Sequence, residues 1–257
     1  MTVKPLRKGA SRTADIPADI LAALSHGTIP SATLTEGLAL DQSILVRTTF
    51  PHLSPPTLQA IDAACKQGIL KRMRSISAAL LAELGNQAID QCQNHLSDTV
   101  RGWACFMVGH SPYQDVNALL NAIHPLADDA HFGVREWAWL GVRAALSNDL
   151  QGSISALSQW TASPSERVRR FACEALRPRG VWCAHIAALK RAPSMALPIL
   201  QPLRTDPCTY VQDSVANWLN DAAKDHPHWV QTLCTQWLHD CPCEATARIC
   251  LRAQRNL

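Results

Sequence analysis

The sequence predicts an all-α fold built from repeated helix pairs, and three observations carry that prediction. Strand signals are close to absent: no Asn-Gly or Asp-Gly hairpin turn occurs, and no sustained apolar/polar alternation runs between turns. Ala-rich amphipathic segments of about 10–16 residues recur instead, separated by short Pro, Asn, Asp and Ser breaks. One pattern also repeats: Val100-Arg101-x-x-Ala104, Val134-Arg135-x-x-Ala138 and Val168-Arg169-x-x-Ala172 stand 34 residues apart.

Along the chain, residues 1–14 read as a basic N-terminal arm with Lys4, Arg7, Lys8 and Arg12, frayed as far as Asp15. Residues 15–257 read as a single domain. Within it, Pro51 to Pro56 is expected to be an extended linker. Helices are expected over 58–68, 70–84, 116–126, 134–146, 154–162, 168–176, 210–224 and 229–240. The stretch Lys190 to Thr209 carries Pro193, Pro198, Pro202 and Pro207, so it reads as a loop. That loop explains why the fourth copy, Val211-Gln212-x-x-Val215, comes 43 residues after the third. Ala247-Arg248-x-x-Leu251 closes the series. Each copy follows a break suited to starting a helix: Ser97-Asp98, Asp128-Asp129, Ser163-Pro164-Ser165 and Asp206-Pro207. Such repeats stack antiparallel helix pairs into a HEAT-like α-solenoid, with the V-R-x-x-A helix of each pair lining the concave surface.

Composition sets the class. Hydrophobic residues make up 47% of the 257 and charged residues 18%, a globular balance. No apolar run approaches the roughly 20 residues of a membrane helix. The basic N-terminus lacks a following apolar region, so no signal peptide is expected and the location expected is cytoplasmic. The ten cysteines are scattered with no CxxC; Cys241-Pro-Cys243 is too tight for a zinc pair, and the cysteines read as reduced core residues. No HExxH occurs among the ten histidines, and neither a metal nor another cofactor is expected. Eight Trp against two Tyr and four Phe is an unusual skew; Trp103, Trp160, Trp229 and Trp237 read as solenoid core.

The copies differ in polar content. Glu136 stands two residues after Val134, and Asp213 holds the same register after Val211. Glu174 lies about one turn further along its own helix. Stacked, these three carboxylates would converge on one strip, where like charges raise each other's pKa unless cations pair with them. The alternative is that Glu136 and Glu174 pair with arginines such as Arg170 and Arg177 and staple repeats together. Between Ser165 and Arg191 stand Arg167, Arg169, Arg170, Arg177, Arg179, Lys190 and Arg191 against two glutamates, a basic strip suited to phosphates. Within it, Arg177-Pro178-Arg179-Gly180 ends a helix and presents Trp182, either as a cap on the core or as a ring to stack on a base or cation. Trp137 and Trp139 flank Glu136 on opposite helix faces, so at most one faces the groove, and Trp137 is the one expected there. Asn217, one turn after Asp213, is placed to support it. Trp218 reads as core and Asp221 as a surface charge.

Two longer segments carry a resemblance. Phe171-Ala-Cys-Glu174-Ala-Leu-Arg177-Pro178-Arg179-Gly180-Val-Trp182 and Tyr210-Val-Gln-Asp213-Ser-Val-Ala-Asn217-Trp218-Leu-Asn220-Asp221 resemble the AlkC branch of the AlkD-like DNA alkylation-repair glycosylases. Ser31-Ala-Thr-Leu-Thr-Glu36-Gly-Leu-Ala-Leu-Asp41 is similar to the N-terminal segment of that branch. The resemblance implies a HEAT-like solenoid whose concave face grips duplex DNA containing alkylated bases. It implies base excision repair by a monofunctional glycosylase acting on cationic N-alkylated bases of the 3-methyladenine type, with 3-methylcytosine as a further candidate. By motif position it makes Glu136, Glu174 and Asp213 the catalytic carboxylates and Trp182 their aromatic partner. Some relatives carry an immunoglobulin-like C-terminal domain; none is expected here.

The chemistry suits these residue types. Alkylation at a ring nitrogen makes the base cationic, so it departs neutral and needs little acid assistance. Positive charge then develops on the sugar, where carboxylates stabilise it and orient a water. No lysine in the motifs offers a Schiff-base nucleophile, so no lyase activity is expected. Arg135, Arg169, Arg170, Arg177, Arg179 and Lys190 are the expected contacts to the DNA backbone, and the protein is expected to be a monomer. A non-catalytic HEAT-like protein binding bent or branched DNA is the alternative, and a protein-interaction scaffold a third reading.

Overall fold

A computed structural model describes residues 7–257, so Lys4 of the expected basic arm lies outside the described residues. Those residues form sixteen α-helices and no strand, as the missing alternation implies. In chain order they are α1 (Ala18–Ser25), α2 (Leu34–Ala39), α3 (Gln42–Thr49), α4 (Pro55–Cys65), α5 (Ile69–Leu84), α6 (Gln87–Gln93), α7 (Asp98–His110) and α8 (Val116–Ala127). There follow α9 (Phe132–Asn148), α10 (Leu150–Trp160), α11 (Glu166–Glu174), α12 (Ala187–Arg191), α13 (Leu197–Leu203), α14 (Thr209–Ala223), α15 (Pro227–Asp240) and α16 (Glu244–Ala253). The fold class is the expected one, an all-α chain of HEAT-like helical repeats.

Two compact units make up the chain. The first holds the described residues up to Ser111 together with Ala130–Gly141; the second holds Pro112–Asp129 and Val142–Leu257. In the first, α7 packs against α5 and α6, and Trp103, Phe106, Met73, Ile76 and Leu80 form its centre. The Gly141 position admits no side chain, because a Cβ there would run into the Cys105 carbonyl of α7. In the second, α14 packs against α11 and α16, with Trp218, Leu219, Leu200 and Trp237 buried. Each fully buried indole N–H finds an acceptor: Trp103 on Gln42 Oε1 (3.3 Å), Trp218 on the Leu176 carbonyl (3.1 Å) and Trp237 on Gln201 Oε1 (2.7 Å).

The repeat motif has a mechanical explanation. Val100, Val134, Val168 and Val211 are buried, as are Ala104, Ala138 and Ala172, whose small side chains let neighbouring helices approach. The arginine beside each Val reaches back to the carbonyls of the turn that precedes its own helix. Arg101 donates to the carbonyls of His95 (2.6 Å) and Leu96 (2.9 Å), Arg135 to that of Ala130 (3.0 Å), and Arg169 to those of Ser163 (2.9 Å) and Pro164 (3.1 Å). In the fourth copy Gln212 does the same to the Asp206 carbonyl at 2.8 Å. The closing copy departs from the rule: Leu251 is 76% exposed.

Four local expectations are corrected. Residues 7–10 are docked rather than frayed: Arg7 makes a bidentate pair with Glu36 (2.6 Å to each oxygen), and Thr33 Oγ1 donates to the Ala10 carbonyl at 2.7 Å. The expected loop Lys190 to Thr209 contains a 3-10 turn, Pro193–Ala196, running into α13; Pro198 stands in the first turn of α13, where its missing N–H costs nothing. The extended linker is shorter than expected, because Pro55 and Pro56 already open α4 in the same way. The Trp assignment divides: Trp103 and Trp237 are fully buried, while Trp160 and Trp229 are half-buried. Of the ten cysteines, Cys92, Cys105, Cys173, Cys234 and Cys250 are buried.

Glu36 yields a pH prediction. Its hydrogen bonds from Arg7, supported by those from the Ala32 and Ala10 N–H groups, outweigh burial and hold its carboxyl at about 2, against an ordinary 4.5. A depressed folded-state pKa gives stability that is present above about 4.5 and lost as pH falls towards 2. Urea melts at pH 6 and pH 3 therefore differ, with on the order of 1–2 kcal/mol of the difference disappearing in Glu36→Gln. An identical pH dependence in the variant would contradict this.

Candidate active site

The second unit brings the two long motifs together on adjacent helices. Helix α11 starts at Ser165, whose hydroxyl caps the Arg167 N–H, and its strongly amphipathic run buries Val168, Phe171, Ala172 and Cys173. Glu174 ends the helix on the same buried side and is only 4% exposed. A buried carboxylate must be compensated, and this one is. Arg177 Nη1 donates to its Oε1 at 2.7 Å, Ser214 Oγ to its Oε2 at 2.6 Å, and Arg170 Nη2 stands 3.8 Å from Oε2. Burial alone would raise the Glu174 pKa; the positive charges of Arg170 and Arg177 and the Ser214 hydrogen bond reverse this, leaving it below the ordinary range.

Arg177 serves a second carboxylate at the same time. Its Nε and Nη2 donate to Asp221 Oδ2 of α14 at 3.0 and 2.8 Å. Asp221, expected on the surface, is therefore a buried acceptor, 4% exposed. Lys224 stands 3.5 Å from its other oxygen. Arg170 lies over the Tyr210 ring, 4.5 Å from its centre. Next to Ser214 on α14, Asp213 is the accessible carboxylate of the pair. Its side chain is 40% exposed and is held by Arg248 (2.7 Å) and Arg252 (3.0 Å) of α16. Ser214 thus joins the two carboxylate positions, bonded to Glu174 and adjacent in sequence to Asp213.

Between α11 and α12 runs the turn that carries Trp182. The ring is 51% exposed, Val181 beside it is 57% exposed, and Trp182 is the one non-glycine among the described residues with a left-handed backbone, φ 61°. That conformation costs a bulky residue roughly 1–3 kcal/mol and persists where the surroundings impose it. Arg143 of α9 imposes it. Its guanidinium, 4% exposed, donates to the carbonyls of Ala175 (2.7 Å), Arg177 (2.5 Å) and Ala184 (3.3 Å), gathering both ends of the turn. The Ile186 N–H closes the base on the Pro178 carbonyl at 3.0 Å. At Gly180 a Cβ would sit 3.2 Å from Arg143 Cζ and collide with the Cys183 sulfur, so glycine is needed for the turn to wrap the guanidinium. Burial lowers the Arg143 pKa, and three carbonyl dipoles take the place of a carboxylate partner.

The remaining sequence candidates have these surroundings. Glu136 belongs to the first unit and accepts a hydrogen bond from Trp139 Nε1 at 2.9 Å, while Glu174 and Asp213 belong to the second. Trp137, expected at the lesion, is 8% exposed and packs against Phe106 at 5.8 Å, inside the first unit. Asn217, expected to support Asp213, instead accepts from Arg255 Nη2 at 3.0 Å.

The basic strip is corrected in character. Arg169 pairs with Asp206 (2.6 Å), Arg177 with Glu174 and Asp221, and Arg179 with Asp225 (2.8 Å), with Lys190 4.0 Å from the same Asp225. Three of these acids lie beyond residue 191, outside the window in which the strip reads as unbalanced. Sequence reasoning missed Arg143, although it stands seven residues after Glu136 on one helical stripe, a spacing at which a charged residue recurs on the same face. It also missed Ser214, Arg248 and Arg252, whose partners are distant in sequence and leave no local signal.

No family model matches the chain. The protein described as uncharacterized protein YhaZ of Bacillus subtilis (strain 168) is 41% identical over 116 residues, 45% of this chain and 32% of that protein. Among solved structures, the Pseudomonas fluorescens alkylpurine DNA glycosylase AlkC, bound to DNA containing an abasic site analogue, superposes with a TM-score of 0.67 at 24% identity, covering 96% of this chain and 65% of that one. The smu.31 protein of Streptococcus mutans UA159 superposes with a TM-score of 0.60 at 18% identity, covering 79% and 98%. These likenesses establish the fold. The chain spans about a third of the Bacillus protein and under two thirds of the AlkC chain.

The Arg143 brace is testable by itself. Arg143→Met keeps the bulk but leaves three carbonyls without donors, and is expected to lose about 2–4 kcal/mol in urea melts. The 19F signal of 5-fluorotryptophan at position 182, assigned with Trp182→Phe, is expected to broaden or shift. A sharp, unmoved resonance would show that the turn does not depend on the guanidinium.

Proposed function

We propose that this chain is a DNA glycosylase that releases cationic N-alkylated bases, 3-methyladenine being the type substrate, from duplex DNA by hydrolysis. One observation carries the reading: an exposed Trp182, held in a left-handed turn, shares the second unit with a buried ionised Glu174 and an accessible Asp213 on adjacent helices. The shared fold with a structure of an alkylpurine DNA glycosylase supports it.

Each side chain has a distinct task in this reading. Trp182 stacks on the cationic base or the charged sugar, a contact worth about 0.5–2 kcal/mol. Asp213 faces the sugar, stabilises its developing positive charge and orients the attacking water. A unit charge at 4 Å contributes on the order of 4 kcal/mol at an effective dielectric of 20, before desolvation. Glu174 supplies fixed negative charge and, through Ser214, sets the position of Asp213. Glu136 is the further carboxylate that the motif resemblance assigns to the site. Because the base leaves neutral, these modest terms suffice. The protein acts as a monomer on duplex DNA and leaves an abasic site without cutting the strand.

A non-catalytic DNA-binding role is the second reading. It is favoured by the same carboxylates being engaged by arginines: Glu174 by Arg170 and Arg177, and Asp213, through one of its oxygens, by Arg248 and Arg252.

Methylated duplex and chromatography of the released bases separate the two. The protein is expected to free 3-methyladenine, Asp213→Asn to slow release by about 100-fold or more, and Trp182→Ala by about 3–30-fold. Thermal melts of Glu174→Gln distinguish lost chemistry from lost folding. Unchanged release by the double variant Glu174→Gln, Asp213→Asn would overturn the mechanism, and binding without release by the unaltered chain would establish the second reading.

A further inference from the structure

With the strip on α11 and its following turn neutralised, the unbalanced positive charge of the molecule has to be sought elsewhere. It is found in the first unit, at the junction of α4 and α5. Lys66, Lys71, Arg72 and Arg74 fall within nine residues, and no acidic residue stands between Asp62 and Glu83. Lys66, Lys71 and Arg74 are exposed, and Arg72 folds back to donate to the Gln67 carbonyl at 3.1 Å. Asp62, at one edge, is engaged by Arg47 at 2.8 Å, and Glu83, at the other, accepts from the Ser54 N–H at 2.7 Å. Among the described residues none of the four cations has an ion-pair partner.

This arrangement works against the stability of the free chain. Lys71 and Arg72 stand in the first turns of α5, where a cation meets the positive end of the helix dipole, and that first turn contains no acid. Lys71 and Arg74 share one face at a spacing where like charges repel. Both costs reverse when anions line the surface. The patch has no apolar anchor: Ile69 and Leu70 are half-buried, and no large hydrophobic side chain is exposed between residues 45 and 95. A membrane-surface helix would insert such a side chain, and a protein partner would use one as its anchor. A row of cations with nothing to insert fits a row of phosphates.

We propose that the α4–α5 junction is a contact surface for the phosphate backbone of duplex DNA, made by Lys66, Lys71 and Arg74 and independent of base identity. It shares with the proposed function the premise that the chain engages duplex DNA, and not the premise that it breaks the glycosidic bond.

Binding of a fluorescein-labelled unmodified 25-base-pair duplex, followed by anisotropy across a series of potassium chloride concentrations, tests it. Each neutralised phosphate contact contributes about 0.9 to the slope of log K against log salt. The triple variant Lys66→Gln, Lys71→Gln, Arg74→Gln, with a thermal midpoint no lower than that of the unaltered chain, is therefore expected to bind more weakly at low salt, with a slope shallower by about 2–3. A slope equal to that of the unaltered chain overturns the proposal. So does charge-dependent binding to phosphatidylserine vesicles with no affinity for the duplex. A shallower slope in a protein that releases no base upholds this surface and removes the glycosylase reading.

Discussion

Much of the second unit depends on one guanidinium shared by two buried carboxylates. Arg177 donates to Glu174 at the end of α11 and to Asp221 on α14, with both acids 4% exposed. Without this guanidinium Glu174 would keep only the more distant Arg170 and the Ser214 hydroxyl, and Asp221 only Lys224, and breaking such a buried pair costs about 3–5 kcal/mol. The pairing therefore fixes where α11 stops and how α14 lies against it. The backbone carbonyl of the same Arg177 is one of three acceptors for Arg143. Side chain and main chain of a single residue thus tie the carboxylate pair to the turn that displays Trp182. Strain at Trp182 is sustained by that connection rather than by local sequence.

Charge in this molecule is spent mainly on cohesion. Arginines that beg for phosphates on a linear reading turn inward to carbonyls and carboxylates: Arg169 to Asp206 and two turn carbonyls, Arg179 to Asp225. Desolvation makes such bonds worthwhile only where several donors of one guanidinium are used together, which is the case for Arg143, Arg169 and Arg177. Asp213, also held by two arginines, differs in exposure: it keeps 40% of its side-chain surface while its neighbours on α14, Gln212 and Ser214, are buried. An accessible carboxylate beside a fully compensated one is the asymmetry on which the proposed division of labour rests.

The architecture was legible because it follows from periodicity. Apolar spacing located the helices that end at Leu84, begin at Val116 and end at Asp240 to the residue, and the 34-residue repeat of Val-Arg-x-x-Ala identified the buried edge of α7, α9 and α11. The turn that presents Trp182 was likewise readable, from the Pro and Gly before it. The arginine of the repeat was misjudged because its partners are carbonyls, which no sequence pattern displays. The strip at 165–191 was misjudged because Asp206, Asp221 and Asp225 come from the next repeat, 37–46 residues away from the arginines they neutralise. Short helices such as α12 and α13 escaped because four prolines obscure them, although Pro198 sits where a helix accepts it.

The central claim is that modest electrostatic terms suffice because the departing base already carries the positive charge. Single-turnover release from matched duplexes, one containing 3-methyladenine and one the neutral lesion hypoxanthine, tests it most directly. The account predicts free 3-methyladenine, no detectable hypoxanthine, and strand breakage only after alkali. Equal release of both bases, or tight binding to both with release of neither, would contradict it.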